Sequence, residues 1–299
     1  MFKESFQPYL WMLVGSFFFA GMAASAHALR FHCDWQVIAL ARSSMPLILA
    51  STIAVLGGAR LVLFAPRILW VRSIAGSISL VCTFFALTRL PPSHVFTLAS
   101  MFPIWVALLS WPLYQERPST QVWLSVAGSV VGVALMELSG QSDHLETPPL
   151  ERWLAIAGMF VASLATAVAM LGLHRLRHIH PWAIVAHFSG VALLFSVASF
   201  FVSADAPASS NPPRPETLLL LLSVGATATI GQLFLTKAFS AGPPAKVSVV
   251  SLTQIVFVMV LEVAFWDRQF NVLTLAGMVL VMAPTAWLMA SQTKGERPA

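Results

Sequence analysis

From its N-terminus onward the chain alternates long apolar runs with short polar breaks. Ten runs of roughly membrane-crossing length occur, at 10–29, 36–57, 68–90, 93–114, 121–140, 153–175, 181–203, 217–240, 245–266 and 272–291. A helix rises about 1.5 Å per residue, so about 20 apolar residues cross the hydrocarbon core of a bilayer. The breaks carry Gly57-Gly58, Pro91-Pro92, Pro118, Pro148-Pro149, Pro212-Pro213 and Pro243-Pro244. Proline lacks a backbone donor and glycine is the costliest helix former after it, so both punctuate helices. Nowhere does the chain show the dyad alternation of barrel strands about ten residues long. The pattern predicts an all-α integral membrane protein with ten transmembrane helices.

Composition sharpens this. The 299 residues are 58% hydrophobic and 10% charged, where a soluble domain has about 25% charged residues. A water-soluble enzyme and a disordered chain are both excluded. The net charge of +5 does not signal nucleic acid, because the basic residues are scattered between apolar runs with no stripe to follow phosphates. They orient the chain instead. A cytoplasmic N-terminus places Lys3, Arg60, Arg67, Arg72, Arg117, Arg175, Arg177, Lys246, Lys294 and Arg297 inside. Arg30, Arg89, Arg152, Arg214 and Arg268 then lie outside. Ten against five favours both termini in the cytoplasm and a multi-pass protein of the inner (plasma) membrane. The first run has the apolarity of a signal peptide, but its length and the runs that follow read as a retained span. Cys33 and Cys82 give no metal spacing and no disulfide framework, so neither metal nor cofactor is expected.

An internal repeat adds organisation. Displacing residues 86–132 by 152 brings Ala86-Leu87 and Pro91-Pro92 onto Ala238-Phe239 and Pro243-Pro244. Earlier in each half, Trp11 pairs with Trp153 and Trp35 with Trp182. The chain divides into a first repeat (1–140), a linker (141–152), a second repeat (153–293) and a tail (294–299). Five spans per repeat is an odd number, so the second copy enters the membrane upside down. Two inverted five-helix repeats are a transporter architecture, with a midplane site where the halves meet.

The phrase FFALTRLP at 84–91, the Phe102-Pro103 step, Glu116-Arg117 and the W-x-x-x-x-G of Trp123–Gly128 resemble the first half of an EamA-type drug/metabolite transporter. GQLFLTKAFSAGPPAKVSVVSLTQ, from Gly231 to Gln254, resembles the second half. Arg42, near the start of the second span, also matches the family pattern. The resemblance covers nearly the whole chain and implies a cavity lined by spans 1, 3, 4, 6, 8 and 9, with spans 5 and 10 peripheral. The copies differ in one respect: Gln115-Glu116 of the first corresponds to Asp267-Arg268 of the second.

Polar residues inside the spans are the site candidates, because unsatisfied polar groups are costly in hydrocarbon. At about 100° per residue, Ser248, Ser251, Gln254 and Glu262 form one arc on span 9. Gly225, Thr229, Gln232 and Thr236 share a face of span 8, and Gly76, Ser79 and Thr83 one of span 3. Stripes of small residues also arise from close helix packing. The larger Gln232 and Gln254 point to a cavity. Substrate contact is expected from Gln254, Gln232, Ser251, Thr236, Trp105, Ser79, Thr83 and His27. Trp105 offers a ring to stack on a ligand or to pack within the bundle; His27 titrates in a useful range. Coupling or gating falls to Glu262, Arg42, Lys237 and Pro103. Interfacial or structural roles stay open for these four, and helix–helix bonding for His27 and His187. Pro103 and Pro284 are expected to bend their helices.

The reading is a secondary transporter of a small metabolite or drug, with export the expected direction. Its partners are the substrate and the lipid bilayer, without nucleic acid and with a homodimer left open. A membrane receptor or scaffold is the alternative. An intramembrane enzyme would call for paired carboxylates, a His/Glu metal pattern or a positioned nucleophile, and no catalytic residue is assigned.

Overall fold

The computed structural model describes residues 6–29, 32–64, 66–87, 98–114, 119–138, 149–202, 214–266 and 271–280 apart from 274, with Arg89, Val95, Met282, Ala283 and Trp287. The helices are α1 (Gln7–Leu29), α2 (Trp35–Leu56), α3 (Arg67–Leu87), α4 (Phe102–Tyr114) and α5 (Thr120–Leu138). There follow α6 (Pro149–Arg175), α7 (Pro181–Val202), α8 (Pro215–Ala241), α9 (Pro244–Ser251) and α10 (Thr253–Trp266). No strand occurs among the described residues. Among the described residues, seven spans, with α9 and α10 taken as one, are long and apolar enough to cross a membrane.

Local chemistry explains most boundaries. Pro149, Pro181, Pro215 and Pro244 each open a helix, where a missing donor is harmless and the ring presets φ. α6 therefore starts four residues earlier than the apolar run, inside the expected linker, with Glu151 in its first turn opposing the helix dipole. Pro103 stands in the first turn of α4 rather than in mid-helix. Residues 98–99 are helical and 100–101 form a turn, so Pro103 follows directly on a break in the expected span. After α2, Gly58 adopts φ of 70°, which glycine enters without a Cβ clash. Of the expected tenth span, residues 275–280 are helical, and Pro284 lies outside the described residues.

The ninth span is broken. Ser248 Oγ donates to the Ala245 carbonyl (2.8 Å), Ser251 Oγ to that of Ser248 (2.6 Å) and Thr253 Oγ1 to that of Val250 (2.8 Å). Each reaches back three residues, and such hydroxyl bonds bend helices. The backbone also tightens there, with Leu252 N–H on the Val249 carbonyl and Ile255 N–H on that of Leu252. The break falls at Leu252, between α9 and α10.

The most extensive pairings are α1 with α8, α3 with α6 and α2 with α7; α2 also packs on α8 and α3 on α7. α4 leans on α6 and α9, and α1 runs along α9 and α10. Gly15 and Gly231 let α1 and α8 close up: a Cβ on Gly15 would lie 3.3 Å from the Gly231 carbonyl oxygen. Hydroxyls stitch the helices, as membrane interfaces allow. Ser25 meets Ser223 at 2.9 Å between α1 and α8, and Ser79 meets Thr166 at 2.6 Å between α3 and α6. His187 of α7 makes the expected helix–helix bond. Its Nε2–H donates to the Leu63 carbonyl (3.1 Å), so in the neutral ring Nδ1 accepts from Ser73 Oγ (2.8 Å). Large apolar side chains cover the outside, Phe201 being 86% exposed and Leu56 82%. Hydrocarbon, not water, suits that surface.

Candidate functional site

Between the helices lies a cavity of about 820 Å³, a volume typical of small-molecule sites. α1 supplies Met12, Phe19, Met22 and His27; α3 supplies Arg72, Gly76, Ser79, Thr83 and Phe84. Thr166 and Met170 come from α6, Gln232 and Phe239 from α8, Ser251 from α9 and Gln254 from α10. Trp35 and Arg42 of α2 and Phe188 of α7 also line it, so spans 2 and 7 join the wall that the resemblance assigned to six spans. Among the described residues, none of α5 does so. From Met12 to His27 the wall follows about 22 Å of α1, most of a bilayer core.

The cavity's two ends differ. At the end where α1 gives way to α2 it reaches Cys33 and Trp35. At the other it stops at Met12 and Phe239, members of a buried cluster with Tyr9, Leu69, Leu173, Ile184 and Val250. A plug of packed apolar side chains closes that end. Cys33 is half-buried, and burial, followed by the nearby Asp34 carboxylate, raises its thiol pKa above the ordinary value.

Seven expected site residues meet here: Gln254, Gln232, Ser251, Ser79, Thr83, His27 and Arg42. Three others sit elsewhere. Thr236 is fully buried, with Oγ1 donating to the Gln232 carbonyl at 2.7 Å. Trp105 donates Nε1–H to Ser163 Oγ at 3.0 Å and packs beside Val106, Ala167 and Leu171. Lys237 Nζ lies 5.8 Å from the Trp11 ring and 5.7 Å from that of Phe234, within cation–π range. For Glu262 the backbone belongs to α10, and the side chain lies outside the described residues.

Arg72 was missed. Counted above with the cytoplasmic loop charges, it sits inside α3 and is 1% exposed. Its guanidinium stacks on Phe188, 4.0 Å from Cζ to the ring centroid, and among the described residues its Nε and Nη1 have no hydrogen-bond partner. Two glycines make room for it. A Cβ on Gly76 would lie 2.9 Å from Arg72 Nη1, and one on Gly172 would lie 3.1 Å from Arg72 Cβ. The signal was present in the spacing, since Arg72 continues the Gly76, Ser79, Thr83 stripe at helical intervals. Gln232 Nε2 is likewise buried without a partner. Polar donors in an apolar wall fit a cavity that binds and orients a small molecule.

The EamA-like transporter family model matches residues 7–138 and 152–290. The chain belongs to the EamA-like transporter family. It is similar to the pseudopaline exporter CntI of Pseudomonas aeruginosa, strain UCBPP-PA14, at 31% identity over 230 residues, 76% of this chain and 75% of the relative. An uncharacterized transporter of Helicobacter pylori, strain 26695, is 24% identical over 214 residues, 71% of this chain and 69% of that one. A protein of solved crystal structure superposes with a TM-score of 0.80 at 15% identity, covering 97% of this chain and 99% of its own. That likeness concerns the fold. This EamA-family chain is thus a multi-pass membrane protein among transporters, with an exporter in its kin.

Proposed function

We propose that this EamA-family protein exports a small metabolite or drug across the cytoplasmic membrane by alternating access, using the central cavity as its substrate site. The observation that carries the reading is a cavity lined from both halves of the chain, plugged at one end and reaching the α1–α2 loop at the other. Export is favoured by the similarity to an exporter.

Ten spans in two inverted repeats are supported by the packing. Exchanging α1 with α6, α2 with α7, α3 with α8 and α4 with α9–α10 maps the most extensive helix contacts onto one another. Thus α1–α8 becomes α6–α3, α2–α8 becomes α7–α3, and α1 against α9–α10 becomes α6 against α4. Near-equivalent halves can exchange conformations around one site, which is what alternating access requires. On this reading Gln254, Gln232, Ser251, Ser79, Thr83, His27 and Arg42 contact substrate or its path. Thr236 and Trp105 hold the wall from behind, and Lys237 anchors α8 to Trp11.

The test is a thermal-shift screen of amino acids, organic acids, nucleosides and organic cations, because a ligand stabilises the state it binds. Counterflow of the best compound in proteoliposomes holding this chain alone should follow. Gln254→Leu should lower that flux at least several-fold while leaving membrane insertion unchanged. Flux no greater than in protein-free vesicles for every binder would refute transport; unchanged flux would remove Gln254 from the path.

With the N-terminus inside, the α1–α2 end of the cavity faces outward. A membrane-impermeant maleimide should therefore modify Cys33 in intact cells carrying Cys82→Ala. The raised thiol pKa leaves little thiolate at neutral pH, so the labelling rate should rise with pH from neutral into the alkaline range. Labelling only after permeabilisation would reverse the orientation.

A further inference from the structure

We infer that the cavity selects amphipathic organic anions, with Arg72, Arg42 and Gln232 receiving a carboxylate and the aromatic wall covering the apolar remainder. This rests on the cavity being the substrate site. Arg72 is 1% exposed, yet among the described residues Nε and Nη1 have no acceptor. Gln232 Nε2, also buried on the wall, lacks one too. Every one of these orphaned groups is a donor. A guanidinium can only donate, and its planar fork matches the two oxygens of a carboxylate.

Charge balance points the same way. Arg42, half-buried, and Arg72, fully buried, line one cavity. Among the described residues, no aspartate or glutamate lines it. Two cations facing one low-dielectric space repel each other, and a buried unpaired charge is costly. An anion between them removes both costs; a cation would add a third like charge.

The site is built, not incidental. Gly76 and Gly172 clear the volume that Arg72 fills, and Phe188 backs its guanidinium. A side chain held this closely loses little freedom when it binds, which favours affinity. The rest of the wall is apolar and aromatic, with Phe19, Met22, Phe84, Met170 and Phe239. A ligand with a carboxylate and an apolar body meets both surfaces.

The experiment uses matched probes on the purified full chain at constant ionic strength. N-acetyl-L-phenylalanine and phenylsuccinate carry carboxylates, N-acetyl-L-phenylalaninamide is neutral and L-phenylalaninamide is cationic. The acids should bind at least tenfold more tightly than the amide by thermal shift, and the cation should not stabilise. Arg72→Gln and Arg42→Gln should each weaken acid binding at least tenfold. Arg72→Lys, which keeps charge and loses the fork, should fall between. If Arg72→Gln does not fold, the wild-type comparison of acid, amide and cation decides alone. Stabilisation by no acid, equal stabilisation by amide or cation, or acid binding unchanged in both foldable arginine variants would overturn the inference. Acid binding without counterflow would instead refute transport and leave the anion site standing. Counterflow of the cation with none of the acids would refute the anion site and leave transport standing.

Discussion

Gly225→Val should lower the melting temperature of the detergent-solubilised protein by about 5–10 °C, the expected cost of overpacking by about 2–3 kcal/mol. The glycine lies where α8 crosses α2. A Cβ there would fall on Met45, 2.6 Å from Met45 Cβ and in closer conflict with Sδ. Met45 Cβ is fixed to the backbone of α2 and cannot swing aside, so the helices must separate. Valine adds two methyl groups to that conflict. Gly190→Ala is the control, since its Cβ would meet only Leu47 Cδ1 at 3.6 Å, ordinary contact. Met45→Ala in the Gly225→Val background should recover part of the loss. A melting temperature equal to wild type would show that α2 and α8 do not meet at Gly225.

The second large effect should fall on transport more than on stability. A Cβ on Gly76 would lie 2.8 Å from Phe188 Cε2 and 2.9 Å from Arg72 Nη1. Both atoms end flexible side chains, so the fold can yield by rotating them. The helices stay packed, and Arg72 leaves the cradle that aims its donors. Gly76→Leu should therefore cut counterflow of the best-binding compound by at least tenfold while the melting temperature falls by only a few degrees. Gly158→Ala, whose Cβ would lie 3.9 Å from Cys82 Cβ, should change neither. Full flux in Gly76→Leu would mean that the placement of Arg72 is irrelevant to transport.

Most spans were legible because hydrocarbon imposes a single requirement: apolar side chains over about 20 residues, with backbone bonds satisfied internally. α2, α3, α5, α7 and α8 begin and end within three residues of the apolar runs. The polar stripe of span 3 was legible too, and Gly76, Ser79 and Thr83 all reach the cavity. Span 8 was only half legible. Its stripe splits between packing at Gly225, where Met45 approaches, and the cavity at Gln232. Spacing places residues on one face of a helix, but the facing helix decides whether that face is dry or hollow.

The sequence by itself determined the solvent, the helical class and the family, because apolar run length and local motifs are properties of contiguous residues. Tertiary structure decided the rest: Arg72 as a buried cation on Phe188, Trp105 as a donor to Ser163, the break at Leu252 and Thr166 as the partner of Ser79. Each depends on groups from different helices, or on how hydroxyls share backbone carbonyls. Such contacts exist only once the helices have packed, and packing alone made a loop-like arginine into a wall of the cavity.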